Sequence, residues 1–151
     1  MTYKVSLDSS IIISHLSADV HKDDVLTAME RLGLLKYQIF LPLICYAEVW
    51  TGIEMLRDDK RKQAANELQG IIQASRIMLV SDNVAIAREA AKAQAEYRRR
   101  GGRREVLIPD FLIGANAAHY SGQLLTTNSR DFLKYFPELK VLTPKTLLAE
   151  V

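Results

Sequence analysis

The spacing of apolar and polar residues changes repeatedly along the chain, and the changes predict short strands alternating with helices. Tyr3 to Leu7 alternates as a short strand, with Asp8 at its end. Ser9 and Ser10 are placed to cap a short helix, Ile11 to Leu16. Asp23 to Leu35 reads as an amphipathic helix with Val25, Met29 and Leu32 on one face and Gly33 near its end. Ile39 to Leu41 is a second strand. Pro42 suits the first turn of a helix running to about Leu56, where its missing N–H would be unpaired anyway. A charged segment, Arg57 to Lys62, leads into a helix ending near Ala74. Ile77 to Val80 is a third strand, and Ser81-Asp82 caps an alanine-rich helix, Val84 to Arg100, stopped by Gly101-Gly102. Pro109 opens a helix to about Tyr120, with Gly122 as its C-cap. Leu124 to Thr126 and Lys140 to Leu142 complete the strands, the last at an edge.

This alternation predicts an α/β fold: a mostly parallel four- to five-stranded sheet, flanked by helices on both faces through right-handed crossovers. With 151 residues, 48% hydrophobic and 25% charged, residues 1–151 fit one domain able to support its own core. The single cysteine, Cys45, excludes a disulfide framework or a cysteine-rich zinc site and reads as an inert core thiol. No apolar run approaches the ~20 residues of a membrane span. The N-terminal MTYKVSLDSS lacks a signal-like apolar stretch, so a cytoplasmic protein with no membrane partner is expected.

The 20 basic and 18 acidic residues nearly balance, but unevenly along the chain. Residues 1–60 carry six basic and nine acidic residues, and residues 61–151 carry fourteen and nine. Five of those fourteen form one run, Arg98, Arg99, Arg100, Arg103 and Arg104. Such a run is either a solvated helix end complementing the helix dipole or a patch for phosphates.

In open parallel sheets the functional crevice lies beyond the carboxyl ends of the strands. Asp8 falls there, as does the segment Thr126-Thr127-Asn128-Ser129-Arg130-Asp131 leaving the fourth strand. Two more acids stand where composition argues against them. At 100° per residue Glu48 shares a mostly apolar stripe with Ile44, Ala47, Thr51 and Met55. Asp110 opens a helix that is apolar nearly all round, on a face with Ile113, Gly114 and Ala117. Singly, each acid has an ordinary explanation as a turn residue, a solvent-reaching side chain or a first-turn acid. Together, four carboxylates near one crevice would repel one another unless a cation intervenes, and all-oxygen ligation points to Mg²⁺ or Mn²⁺. His15, His21 and His119 are scattered, and neither a Gly-x-Ser-x-Gly elbow nor a phosphate-binding Gly-x-x-x-x-Gly-Lys loop is present.

From Tyr3 to about Pro144 the chain resembles the PIN-domain nucleases. The matching pieces are Ser6-Leu7-Asp8-Ser9-Ser10, Tyr46-Ala47-Glu48-Val49, Ile108-Pro109-Asp110-Phe111-Leu112-Ile113-Gly114-Ala115 and Leu125-Thr126-Thr127-Asn128-Ser129-Arg130-Asp131-Phe132. The size and the Thr-x-Asn-x-x-Asp-Phe form look like VapC toxins of toxin–antitoxin pairs. That resemblance implies a Mg²⁺- or Mn²⁺-dependent endoribonuclease, usually a homodimer, neutralised by a small antitoxin. It places Asp8, Glu48, Asp110 and Asp131 as catalytic and metal-binding acids, with Ser9, Thr127 and Asn128 as polar supports. Many relatives carry Thr-Asn where Ser9-Ser10 stands here, so a carboxamide contact is lost. The arginine run would then hold RNA backbone. A catalytically silent PIN-fold module binding RNA or protein, and a housekeeping RNA-processing nuclease, are the alternatives. A phosphotransfer site fits less well, with Val80-Ser81 where a receiver domain needs its acceptor aspartate, although Asp82 lies close by.

Overall fold

A strand paired on both sides within a parallel sheet is covered above and below by crossover helices, so its residues are buried continuously. The computed structural model, which describes residues 2–103 and 108–150, shows this in β1 (Lys4–Leu7), whose Val5, Ser6 and Leu7 are all buried. The expected alternation at this strand is therefore replaced by a buried run. Its neighbour β2 (Gln38–Pro42) is likewise buried from Ile39 onward. The edge strands β3 (Met78–Val80) and β5 (Lys140–Leu142) are partly exposed, and β4 (Gln123–Leu125) lies between β1 and β5. The order is β3-β2-β1-β4-β5, and all four pairings are parallel.

The chain moves outward from β1 through β2 to β3, then returns to build β4 and β5 on the other side. The sheet thus reverses direction between β1 and β4, the place where such sheets open a crevice. On the outward path α1 (Ser9–Leu16), α2 (Lys22–Leu34), α3 (Leu43–Glu54) and α4 (Asp58–Ala74) pack on one another. On the return path α5 (Val84–Arg99), α6 (Ile108–Tyr120) and α7 (Ser129–Tyr135) form a second group. With right-handed crossovers the two groups cover opposite faces. A last helix, α8 (Pro144–Glu150), leans on α2 and β5.

The main core runs from Leu7, Ile11 and Leu41 to Leu68, Leu124 and Phe132, each almost wholly buried. Burying one such side chain stabilises the fold by about 1.5–3 kcal/mol. A smaller cluster, Ile86, Ala90, Phe111, Ala115 and Tyr135, joins α5, α6 and α7.

Several boundaries depart from the sequence pattern for local reasons. Pro42 is the last residue of β2, opposite Val80, where the register to β1 has already ended at Phe40. A proline at that terminal position costs little. Asn83, rather than Ser81-Asp82, caps α5, its Oδ1 accepting from the Ile86 N–H at 2.8 Å. The turns after α2 and α4 use Lys36 (φ 58°) and Arg76 (φ 51°) in the left-handed region, while Gly33 stays inside its helix. Gly101 (φ 87°) and Gly122 (φ 78°) occupy the expected left-handed C-terminal positions of α5 and α6. Two short helices, α7 and α8, carry too few residues to establish a period.

Candidate metal and nucleic-acid site

Asp8 follows β1 directly and is the N-cap residue of α1, with the extended backbone of a cap (φ −78°, ψ 156°) but no side-chain capping bond. An aspartate here ordinarily accepts from its own helix. In place of a backbone N–H, its Oδ2 accepts from two hydroxyls, Ser10 Oγ on α1 and Thr126 Oγ1 just beyond β4, each at 2.8 Å. Thr126 is wholly buried and Asp8 is 7% exposed.

Glu48 lies on the solvent-facing flank of α3, because the buried face of that helix is Cys45, Val49 and Ile53. The stripe shared with Ala47, Thr51 and Met55 is therefore the open one, contrary to the expectation of a buried acid there. Even so, partial desolvation raises the pKa of Glu48; a Ser9 hydrogen bond opposes this, and the charges of Asp8 and Asp110 add to it. Asp110, in the first turn of α6, is also raised, first by burial and then by Asp8 and Asp131. Asp131 stands in the first turn of α7 and accepts from Asn128 Nδ2 at 3.0 Å.

The fold brings the four acids to the switch point unevenly: Glu48 feels the charges of Asp8 and Asp110, Asp110 feels those of Asp8 and Asp131, and neither Asp110 nor Asp131 joins Asp8 and Glu48 in one group of mutually close ligand atoms. Among the described residues none of the four forms an ion pair with a lysine, arginine or histidine. Carboxylate oxygens of Asp8 and Glu48 and the sulfur of Cys45 lie within 4.8 Å of one another. The Cys45 thiol is wholly buried and its pKa is driven far up by burial and by the acids, so it stays protonated. The carboxylate oxygens, with no ion-paired cation among the described residues, suit a hard cation.

Of the expected polar supports, Ser9 serves Glu48, Asn128 serves Asp131, and Thr127 contributes only its backbone N–H, to Ser10 Oγ at 3.1 Å. The two hydroxyls on Asp8 are the functional neighbours that sequence reasoning missed. A threonine ending the strand beside β1 was the available signal. Tyr135 is a third: burial, then Asp131 and Asp110, push its phenol up to about 12, so it remains a neutral donor beside the acids. Its ring packs on Phe111 at 4.6 Å and on Tyr97 at 4.9 Å, while Phe136 fills the space a side chain at Gly114 would need. These contacts pin α7 to α6 and set Asp131 near Asp110.

The arginine run divides. Arg99 pairs with Glu96 on the preceding turn. Arg100 donates to the Lys134 carbonyl at 3.0 Å and to the Glu96 carbonyl, so it ties α5 to α7. The side chains of Arg98 and Arg103 are exposed and make no hydrogen bond or ion pair among the described residues. Arg104 lies outside the described residues.

The family model of the PIN domain matches residues 5–136, which spans all four acids. The chain belongs to the PIN domain family. Among solved structures, this PIN domain is similar to VapBC2 from Rickettsia felis bound to a DNA fragment from their promoter, with a TM-score of 0.75 at 20% identity, covering 93% of this chain and 98% of that one. DNA-bound VapBC from Salmonella typhimurium gives 0.75 at 21%, covering 95% and 99%. FitAcB from Neisseria gonorrhoeae gives 0.74 at 22%, covering 93% and 98%. No curated protein matches the sequence. A cavity of about 710 Å³ on the outer flank of α6, between α5 and α7, contains none of the four acids. Tyr135, beside Asp131 and Asp110, borders that cavity as well. No helix in the described residues is long and apolar enough to cross a membrane.

Proposed function

We propose that this PIN domain is a Mg²⁺- or Mn²⁺-dependent endoribonuclease, the toxin of a toxin–antitoxin pair. The observation that carries this reading is the group of four carboxylates without a countercharge at the β1–β4 switch point, two of them with raised pKa values. A site of this charge repels an RNA phosphodiester until it is neutralised. Asp8 and Asp110 would hold the ion directly, with Glu48 and Asp131 as further ligands or as acceptors for its water. A bound divalent ion supplies a water of lowered pKa and a positive charge for the scissile phosphate and leaving oxygen. The chain's own residues do the rest. Ser9, Ser10, Thr126 and Asn128 orient the carboxylates, and Tyr135 offers a neutral O–H beside Asp131 and Asp110. Arg98 and Arg103 hold RNA backbone outside the acidic centre. A small cognate antitoxin that neutralises the chain completes the reading, supported by the likeness to VapBC toxin–antitoxin complexes, and a cytoplasmic homodimer is the accompanying expectation.

The test is cleavage of a structured RNA pool in Mg²⁺, in Mn²⁺ and in chelator, with Asp8→Asn and Asp110→Asn beside the native chain. Cleavage is expected only with metal and only in the native chain. Cleavage that survives chelation or both substitutions refutes the reading.

A further inference from the structure

Asp8 is held by two hydroxyls whose hydrogen-bond directions are fixed. The Thr127 N–H donates to Ser10 Oγ at 3.1 Å, and the Asn128 N–H donates to Thr126 Oγ1 at 3.0 Å. A hydroxyl has one hydrogen to give. A carboxylate oxygen can only accept, so each hydroxyl gives its one hydrogen to Asp8 Oδ2, 2.8 Å away in both cases, and accepts its amide through a lone pair. The two hydroxyl oxygens sit 3.3 Å apart, which is compatible with both pointing at the same acceptor. Oδ2 is thus engaged twice, whereas Oδ1 receives no donor from the described residues. The clamp spans the switch point, with Ser10 on α1 beyond β1 and Thr126 beyond β4. The Thr126 N–H is anchored on the Leu142 carbonyl at 2.9 Å.

We propose that Ser10 and Thr126 are positioning residues that make Asp8 a single-oxygen metal ligand and so favour Mg²⁺ or Mn²⁺ over Ca²⁺ at this site. The inference rests on the metal-nuclease reading above. Its physical basis is the difference in what the ions accept. Ca²⁺ accepts a carboxylate through one or both oxygens within a flexible, larger coordination shell, while Mg²⁺ demands a near-octahedral arrangement that one oxygen per carboxylate satisfies. With Oδ2 held by two donors, Asp8 presents Oδ1 alone. Releasing Oδ2 gives a larger ion a second oxygen and leaves a smaller one with a less ordered ligand.

Calorimetric binding of Mn²⁺ and of Ca²⁺ to the full chain tests this, with Ser10→Ala, Thr126→Val, Thr126→Ser and Asp8→Asn beside the native protein. Ser10→Ala and Thr126→Val are each expected to weaken Mn²⁺ about ten-fold and to change Ca²⁺ less than about two-fold, as loss of a group supporting a metal ligand costs about 10–100-fold. Thr126→Ser keeps the hydroxyl and is expected to keep the native preference for Mn²⁺. Equal losses for the two ions, or an unchanged preference in Ser10→Ala, overturn the proposal. Ser10 is only partly buried, so that variant remains informative even where Thr126→Val fails to fold. Native-like Mn²⁺ binding by Asp8→Asn overturns the metal-site reading itself. Loss of binding in Asp8→Asn with an intact preference in the hydroxyl variants overturns the clamp alone.

Discussion

The two sides of the acidic site are built differently. Asp8 sits at the end of a central strand with hydroxyl donors from both sides of the switch point already on its carboxylate. Asp110 and Glu48 project from helices, and burial together with the neighbouring acids raises both pKa values. A buried carboxylate supplied with donors is at home in the protein. One whose nearest charged neighbours are other carboxylates is not, and what relieves it is positive charge from outside. On the Asp8 side the chain supplies two donors to one oxygen, while the helix-borne side, with only Ser9 on Glu48, is left for a ligand to complete.

The largest expected effect tests whether both sides are nevertheless needed for chemistry. Asp8→Asn and Asp110→Asn should each lower metal-dependent RNA cleavage by on the order of 10³-fold, as expected when a group stabilising transition-state charge is lost. Their effects on the metal-free fold should be opposite in sign. Asp110→Asn removes a repelled acid and should raise Tm in chelator, by about 2 °C or less because solvent at this half-exposed site screens the repulsion. Asp8→Asn exchanges an acceptor of two hydroxyl donors for an amide and should lower it. Calorimetric melts in chelator measure both shifts, and shifts of the same sign would break the comparison.

The pH dependence is a smaller effect with a definite sign. The folded-state pKa of Asp110 lies above its ordinary value of 3.8, and that of Glu48 above 4.5. The folded chain therefore holds these protons more tightly than the unfolded chain. Stability from these groups is greatest below the ordinary values, falls as pH rises through the window up to the raised values, and is flat above it. In chelator the stability advantage of Asp110→Asn over the native chain should be full at pH 7 and shrink as pH falls through that window. Urea melts across the acid range measure it. An advantage independent of pH would show that charge repulsion at Asp110 is not its source.

The half of the site carried by strand ends was the more legible in the sequence. Alternating elements predicted a parallel sheet, and the rule that chemistry gathers beyond its strand ends singled out Asp8 and the segment after the fourth strand. The helix-borne acids stood out as well, but Glu48 for a reason the structure reverses. Periodicity finds an acid in an apolar stripe without saying which stripe faces the core, and here Cys45, Val49 and Ile53 do. The roles of Ser10 and Thr126 were not legible, since a hydroxyl's partner across 116 or 118 residues depends on strand order and register. Nor was α7, whose seven residues are placed by Phe132, Tyr135 and Phe136 packing beneath it rather than by propensity.

The same division, between groups whose bonds are complete and groups left open, runs through the arginines and gives the smallest effect. Arg99 and Arg100 are engaged by Glu96 and by the Lys134 carbonyl, while Arg98 and Arg103 extend into solvent. An arginine that neutralises a phosphate releases a counterion, and each such contact contributes about 0.7 to the slope of log K against log salt for single strands. Arg98→Ala and Arg103→Ala should therefore weaken binding of a catalytically silent Asp8→Asn background to RNA and flatten that slope by roughly one unit or less apiece. Arg100→Ala should leave the slope alone and lower the melting temperature, because its loss frees the end of α7 rather than a phosphate. Fluorescence anisotropy across a salt series separates the two behaviours. A slope that flattens for Arg100→Ala and not for Arg98→Ala would mean that the open groups are not the ones facing RNA.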